Sequence, residues 1–376
     1  MVRTVQQRTS EIYSSSKLKI MRIFFRLTVI SCCFILSCLQ ANSQDQTKAR
    51  DKYTLLTMAY NQRPLLLYKG QLQLNASYKF AARTKSFDSD GNMISLKDNG
   101  SASMIHTWIY ELKYGITDFI ELGIDSYWLK NGIRSESASI LSGSNIITTN
   151  RLDEYKGSGD LTISAALRFP SEYKFFDFMV KGGLTLPIAE FKPRQPSHTI
   201  TDYSSPENFT VNYMFNNRNG TGVAYANLSA AGKITFTRIS LEARGFYRFP
   251  AGESESIRWS WTRYGSTFTY YNTPCSLLPD RSLTVNGSVH YQAAGWLDLF
   301  LGTYYYKTSD GWTEFSGLKY ANPEIMLITL EPGFELQIAP SLTIYQYAGF
   351  QLAGRNSDAP FYLLTTLSFN MFPFWK

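Results

Sequence analysis

Strict alternation of apolar and polar residues is the first pattern along the chain. In GQLQLNASYKF, residues 70–80, every second residue from Leu72 to Phe80 is apolar and every residue between them is polar. This period of two predicts a β-strand with one apolar and one polar face. The pattern leaves open whether the apolar face meets a protein core or lipid. If it meets lipid, the polar face must look into a closed barrel, because an open sheet edge cannot survive in hydrocarbon.

The same alternation recurs to the end of the chain, for example in FFDFMVKGGLTL (175–186), ISLEARGFYRF (239–249) and SLTVNGSVHY (282–291). It predicts twelve strands, joined by five short turns that alternate with six longer loops. Two of these loops run over about 130–158 and 189–220, and a third, about 250–280, contains IRWSWTRYGSTFTYY, which we expect to be strand extension. A soluble β-sandwich, the alternative, gives no reason for every second connection to be long. The sequence therefore predicts an all-β fold, a transmembrane up-and-down antiparallel β-barrel of about 12 strands, with short periplasmic turns and longer extracellular loops. The apolar face of residues 70–80 then meets lipid.

Composition agrees with a membrane barrel. The chain has 25 Tyr, 25 Phe and 7 Trp, and only 18% of its residues are charged, whereas soluble domains average about 25%. Aromatic residues near strand ends are typical of the girdles at the two interfaces of an outer-membrane barrel. Beyond the N-terminal region no apolar run is long enough to form a transmembrane helix.

The N-terminal region has the features of a secretory signal. Residues 21–43 contain Arg22 and Arg26, an apolar run from Leu27 to Leu39, and a small-x-small sequence at its end. We interpret 1–43 as a targeting region with the signal peptide at 21–43, because the apolar run is too short to span a membrane. The sequence leaves open whether the chain starts at Met1 or Met21, and acylation of Cys38 is an alternative to cleavage.

Cysteine use and charge follow from this export signal. Three of the four cysteines lie in the targeting region, so Cys275 alone remains and neither an internal disulfide nor a thiolate metal site can form. The sequence gives Cys275 no role. After residue 43 the chain has 31 basic and 29 acidic residues, which gives no support for nucleic-acid binding. We expect no cofactor, and as partners the outer-membrane lipids, the barrel-assembly machinery and a small-molecule solute that the sequence does not identify.

Charged residues on the polar faces are the candidates for the lumen. An Arg or Lys on the lipid face costs about 2–4 kcal/mol at the membrane midplane, so these faces should point inward. Opposite charges there would fix strand pairing or set pore selectivity, in preference to acid–base catalysis. The predicted lumen residues are Glu111, Glu121, Asp125, Arg168, Lys181, Glu242, Arg244, Arg248 and His290.

The segment 44–69 precedes the barrel, which we assign to 70–376. Its stretch TLLTMAYNQRPLLLY is apolar enough to insert into the lumen as a plug. The alternative is a periplasmic tether, and the sequence does not decide between them.

Catalysis is not expected. The base candidates for a hydrolase are His106, His198 and His290. Ser288 and His290 share one strand face, but the same alternation arises in any polar barrel wall, and His106 has no serine beside it. No phosphate-binding glycine loop or clustered metal-ligand spacing appears.

Several stretches resemble a bacterial outer-membrane transporter family named for MetA-pathway phenol degradation and, more distantly, long-chain fatty-acid channels. They are RPLLLYKGQLQLNASY, LKYGITDFIELGI, and GSGDLTISAALRF followed by GGLTLPIAEFKP. The C-terminus departs from the pattern, because it ends on Lys376. The resemblance implies an outer-membrane pore or transporter for small, hydrophobic or aromatic molecules. A non-transporting surface receptor or adhesion scaffold, and an outer-membrane hydrolase, are the alternatives, and ion conduction through the lumen separates transport from the scaffold.

Overall fold

The structure is a computed structural model. It describes residues 63–97, 102–133, 136–142, 145–151, 154–169, 175–189, 198–200, 208–215, 222–264, 267–315 and 318–372. The predicted targeting region, residues 44–62 of the N-terminal segment and the last four residues lie outside the described residues. The described residues from 63 to 371 belong to one compact unit, which contains every strand given below.

Alternating sequence produces strands throughout the described residues, and no helix there is long and apolar enough to cross a membrane. The strands are β1 Leu72–Arg83, β2 Lys85–Phe87, β3 Met93–Ser95, β4 Ser103–Thr117, β5 Ile120–Ile133, β6 Glu136–Ser142, β7 Asn145–Arg151, β8 Glu154–Phe169, β9 Phe176–Leu186, β10 His198–Ile200, β11 Asn208–Phe215, β12 Tyr225–Thr235, β13 Ile239–Pro250, β14 Ser254–Tyr264, β15 Thr267–Leu278, β16 Arg281–Ala294, β17 Leu297–Ser309, β18 Trp312–Phe315, β19 Leu318–Ala321, β20 Met326–Ala339, β21 Leu342–Arg355, β22 Ser357–Asp358 and β23 Phe361–Met371.

Twelve of these strands close into an antiparallel barrel, which confirms the predicted fold class. Their order around the barrel is β1, β4, β5, β8, β9, β12, β13, β16, β17, β20, β21 and β23. This is their order along the chain, as in an up-and-down barrel. The first and last strands close the ring, with Leu72 paired to Met371 and Ala82 to Phe361. We call the end with the short turns and Leu72 the turn end, and the opposite end the loop end.

The two faces of the barrel wall have opposite polarity. Outward side chains such as Leu74, Leu228 and Leu301 are 46%, 56% and 49% exposed. The largest fully buried side chains, in contrast, are polar: Thr329, Thr343, Ser240 and Ser368. A soluble domain buries its apolar residues instead. The polar face of residues 70–80 therefore lines the lumen, as predicted, and the apolar face forms the exterior.

Aromatic side chains cluster on the exterior of β1, β4 and β5. Tyr78 Oη lies 2.7 Å from His106 Nδ1, and the rings of Trp108 and Trp128 meet edge to face with centroids 4.9 Å apart. His106 therefore lies in an outer aromatic cluster, far from any lumen chemistry. Such a cluster has the composition of an interfacial girdle.

At the loop end the barrel continues into three small sheets. Their strand orders are β10-β7-β6, β11-β14-β15-β18-β19 and β22-β2-β3. The prediction of long irregular loops at about 130–158 and 189–220 was wrong for the described residues there, because these segments pair as strands, for example Ile140 with Ile147. The stretch IRWSWTRYGSTFTYY was predicted as strand extension, and its described residues, 257–264 and 267–271, lie in β14 and β15.

Candidate functional site: the barrel lumen

The lumen contains a cavity of about 440 Å³ near the turn end, which we call the charged chamber. Carboxylates line it on β4, β5 and β8, and basic side chains line it on β4, β9 and β13. Four acidic and four basic residues face it: Glu111, Glu121, Asp125, Asp160, Lys113, Lys181, Arg244 and Arg248. Six of the nine predicted lumen residues therefore share one cavity; Lys113 and Asp160 were missed, although both occupy the inward register of their strands.

Some of these charges are held by neighbours on the wall. Glu111 Oε2 accepts from Lys113 Nζ at 2.9 Å and from Asn75 Nδ2 at 2.7 Å. The Arg248 guanidinium lies 3.6 Å above the ring of Tyr225. The chamber thus offers both signs of charge to a solute, on different parts of its wall. Whether these side chains act on a passing solute stays a prediction.

The other three predicted lumen residues lie elsewhere on the inner wall. Arg168 Nε donates to Asp177 Oδ1 at 2.6 Å, and Glu242 Oε1 accepts from Arg244 Nη2 at 3.0 Å. His290 is buried, and its Nε2 lies 2.9 Å from Ser288 Oγ.

Ser288 and His290 are the residues of the hydrolase alternative that the structure brings into contact. Neither residue lines the charged chamber or the cavities towards the loop end. A nucleophile and base also need an orienting group and space for the reacting carbonyl. His198 lies at the start of β10, in a loop-end sheet. Among the described residues no group of His, Cys, Asp and Glu could hold a metal ion.

A second cavity, of about 430 Å³, lies towards the loop end; we call it the aromatic chamber. Its walls carry the rings of Tyr304, Tyr347 and Tyr362. Tyr347 and Tyr362 meet edge to face at 6.3 Å between centroids, and Tyr347 meets Phe300 at 6.1 Å. Phe300 in turn stacks on His290 at 5.2 Å. These four rings form a continuous ladder across β16, β17, β21 and β23.

Gly349 on β21 makes room for the ring of Tyr362, one of the four ladder rings. A Cβ added at Gly349 would lie 2.1 Å from Cζ of Tyr362, a distance that real atoms do not reach. The tyrosine ring therefore lies flat against the β21 backbone because residue 349 has no side chain. This keeps Tyr362 on the wall and leaves the chamber open beside it.

Lys79 and Glu331 give the aromatic chamber its polar groups. Lys79 Nζ lies 4.0 Å from the centroid of the Tyr362 ring, and the hydroxyl of the same tyrosine donates to the Glu331 carboxylate. In the described part of the chain no carboxylate lies within ion-pair distance of Lys79. Its ammonium group therefore has hydrogen-bond donors available to a solute. This chamber was not predicted from the sequence, although Lys79 lies in register with the polar residues of β1.

The mouth of the barrel at the turn end is crossed by residues 63–69 of the N-terminal segment. Leu65 reaches the charged chamber. A smaller cavity of about 150 Å³ remains between this segment and the wall, beside Lys233 and Glu242.

Comparison with solved structures gives a similar fold. An outer membrane channel from Pseudomonas putida F1 matches with a TM-score of 0.55 and 14% identity, over 81% of this chain and 97% of that chain. At this identity the likeness shows the fold alone, and it agrees with the resemblance to outer-membrane transporters seen in the sequence. The toluene transporter TodX of P. putida matches with a TM-score of 0.41 and 9% identity, over 80% and 89% of the two chains, which is too low to support an inference. No family model matches the sequence, and no curated protein matches it.

Proposed function

We propose that this chain is an outer-membrane channel for small molecules, and that the solutes it suits combine an aromatic or other apolar part with a charged or polar group. We base this on the joint presence of the aromatic and charged chambers inside one closed barrel. The turn end is then periplasmic and the loop end extracellular.

The exterior supports a membrane location. Large apolar side chains are exposed on strands all around the barrel, for example Ile124, Leu184 and Val289. Soluble monomers rarely expose contiguous apolar patches larger than a few hundred Å². The aromatic cluster around Trp108 and the export signal predicted at 21–43 agree with an outer-membrane barrel.

The two chambers limit the solute in different ways. Offset or edge-to-face stacking contributes about 0.5–1.5 kcal/mol per aromatic pair, so a ring-bearing solute gains from contact with Tyr347 and Tyr362, the ladder rings that line the aromatic chamber. A purely apolar solute would displace the water that hydrates the charged side chains around Asp125 and Arg244. It would offer these side chains no hydrogen bonds in exchange, so its passage would cost free energy. A solute with both an aromatic ring and a charged group can stack in the aromatic chamber and form hydrogen bonds or ion pairs in the charged chamber.

Single-channel recording tests the proposal. The full chain would be exported in a Gram-negative host, purified from outer membranes, shown to be folded by a heat-modifiability gel, and inserted into planar bilayers. We expect discrete ion-conducting steps, and brief interruptions of the current when benzoate enters the lumen. Folded protein that conducts neither in this form nor after release of the N-terminal segment that crosses the turn end would contradict the channel and favour the surface-scaffold alternative.

A matched pair of tyrosine variants tests the ladder. Tyr347→Leu removes a ladder ring, whereas Tyr247→Leu removes an outward, partly exposed ring. We expect benzoate to block the Tyr347→Leu channel about 2- to 10-fold more weakly, which corresponds to the loss of one stacking contact. The Tyr247→Leu channel should be blocked like the parent. Equal block of all three proteins would contradict a role for the ladder.

A further inference from the structure

The residues just before the barrel, Arg63–Lys69, cross its turn end from one side to the other; we call them the strap. At one side Arg63 Nη1 lies 2.7 Å from Glu335 Oε1 on β20. At the other side the strap ends at Gly70, whose N–H donates to the carbonyl of Gly115 at 2.7 Å. Between these points it contacts β12, β9 and β5. Since β9 lies five strands from β20 around the barrel, the strap spans the mouth.

Main-chain donors of the strap bind carboxylates of the wall. The N–H groups of Leu65, Leu67 and Lys69 donate to carboxylate oxygens at 2.6, 3.0 and 2.9 Å. The acceptors are, in that order, Asp177, Glu121 and Asp118. Every second residue therefore presents its N–H to the barrel, as in an extended segment. Lys233 Nζ adds a bond to the carbonyl of Arg63 at 3.1 Å.

An apolar cluster anchors the strap, and Leu65 packs against it beside Leu66. The Leu66 side chain is buried among Ala166, Met179 and Ala231 of the inner wall. The cluster is small, and the strap's contacts with the four carboxylates and with Lys233 are hydrogen bonds and the ion pair. Each of these polar groups can exchange its partner for water, so the net stabilisation per bond is much smaller than its strength in isolation.

The strap is continuous with the barrel at Gly70. This glycine has φ 75°, in the left-handed region that glycine adopts without strain. The turn at Gly70 directs the chain from β1 back across the mouth. It also gives the strap a pivot beside the wall.

We infer that the strap is a releasable closure of the turn end, and that the four carboxylates holding it become the ion-selecting ring of the open mouth. These are Asp118, Glu121, Asp177 and Glu335. The inference rests on the proposed channel function. With the strap in place the carboxylates accept main-chain N–H groups and two guanidinium groups, that of Arg63 at Glu335 and that of the wall residue Arg168 at Asp177. When it leaves, they face the ion path, and rings of Asp and Glu favour cations over anions.

A double variant of the strap tests this. Arg63→Gln removes the guanidinium charge facing Glu335, and Leu67→Pro removes the N–H that binds Glu121, because proline has none. The matched control is Arg83→Gln, which removes an arginine paired with Asp358 at 2.9 Å at the loop end. All three proteins would be made as full chains and checked for heat modifiability.

Thiol labelling measures strap release without requiring conduction. Met179→Cys places a thiol beneath Leu66, in a background where the native Cys275 is replaced by serine. A charged maleimide should label this thiol at least tenfold faster in the double variant, the change expected for losing one hydrogen bond to a charged group. The Arg83→Gln protein should be labelled at the parent rate.

Conductance and reversal potential then measure the open mouth. In a KCl gradient the double variant should conduct more than the parent, with a reversal potential shifted towards cation selectivity. Unchanged labelling of the double variant would overturn the releasable strap, and faster labelling with unchanged selectivity would overturn the carboxylate ring. If labelling accelerates while no protein conducts, the strap is supported and the channel function itself fails.

Discussion

Leu301→Arg tests whether the barrel exterior lies in lipid. Leu301 faces outward on β17 and is 49% exposed. It lies five residues from Trp296 in the turn that precedes the strand. A strand advances about 3.4 Å per residue and a barrel strand tilts by about 40°, so Leu301 sits about 13 Å above that turn. This is half of the roughly 25 Å apolar band of an outer-membrane barrel. The substitution therefore places a charge at the midplane.

The expected cost is large. An arginine on the lipid face at the midplane costs about 2–4 kcal/mol, which corresponds to a change of about 30- to 700-fold in the unfolding equilibrium constant. The free energy of unfolding would be measured by urea titration of the protein in lipid vesicles, with the fraction folded read from gel mobility. Leu301→Arg should lower the midpoint clearly.

The control places the same charge at a different depth in the membrane. Trp296→Arg puts the same charge at the turn, where it should cost at most about 1 kcal/mol because the depth penalty falls away near the interface. Leu301→Phe tests the size change without the charge. If Leu301→Arg and Trp296→Arg unfold at the same urea concentration as the parent, the outer face of β17 does not lie in hydrocarbon and the membrane orientation is wrong.

Two further predictions concern the strap and the aromatic chamber. Gly115→Ala would place a Cβ 2.1 Å from the carbonyl oxygen of Tyr68, so it should displace the strap and accelerate maleimide labelling of the Met179→Cys protein. The control is Gly295→Ala, whose Cβ meets open space and should leave the labelling rate unchanged. Equal labelling rates for the two variants would contradict the close approach of the strap to Gly115. Lys79→Gln should weaken channel block by benzoate about tenfold or more, because a hydrogen bond between charged groups is lost. Block by uncharged benzyl alcohol should not change. An equal loss of block for both solutes would show that Lys79 acts through its shape and not through its charge.

The barrel itself was predictable because its alternation is simple. In β13 the outward residues Leu241 and Tyr247 alternate with the inward Glu242 and Arg248, and a shift by one residue would put those charges into lipid. Because charges in lipid cost so much free energy, the sequence alone shows which residues of the strand face lipid and which face the lumen. The closed arrangement follows, since every strand must find two partners.

The loop-end strands were harder to predict. Segments such as β6 and β7 lie beyond the barrel wall, where neither face needs to be uniformly apolar. Their pairing, for example Ser137 with Asn150, depends on cross-strand hydrogen bonds that leave no period-two hydrophobic pattern. Polar sequence there was therefore predicted as loop.

The ladder was missed, and for the strap the sequence predicted only that segment 44–69 is a lumen plug or a periplasmic tether. Tyr347 and Tyr362 share the register of the inward polar residues, but an aromatic side chain fits a girdle as well as a lumen, so alternation does not separate the two. The strap binds through the N–H groups of Leu65, Leu67 and Lys69, which every residue except proline has. Sequence can show that a segment is able to insert, but it does not show which carboxylates will receive its main chain.

The acidic character of the mouth bears on whether the closure is permanent. Glu121, Asp177 and Glu335 are all less than a tenth exposed beneath the strap. For a plug that never left, apolar wall residues would serve at least as well, because replacing buried ion pairs by packed apolar groups is often neutral or stabilising. An apolar wall would, however, leave an open mouth lined with surface that water wets poorly. The carboxylates accept hydrogen bonds from the strap when it is bound and from water when it is released. Their presence at this end of the barrel therefore favours a mouth that is stable both closed and open.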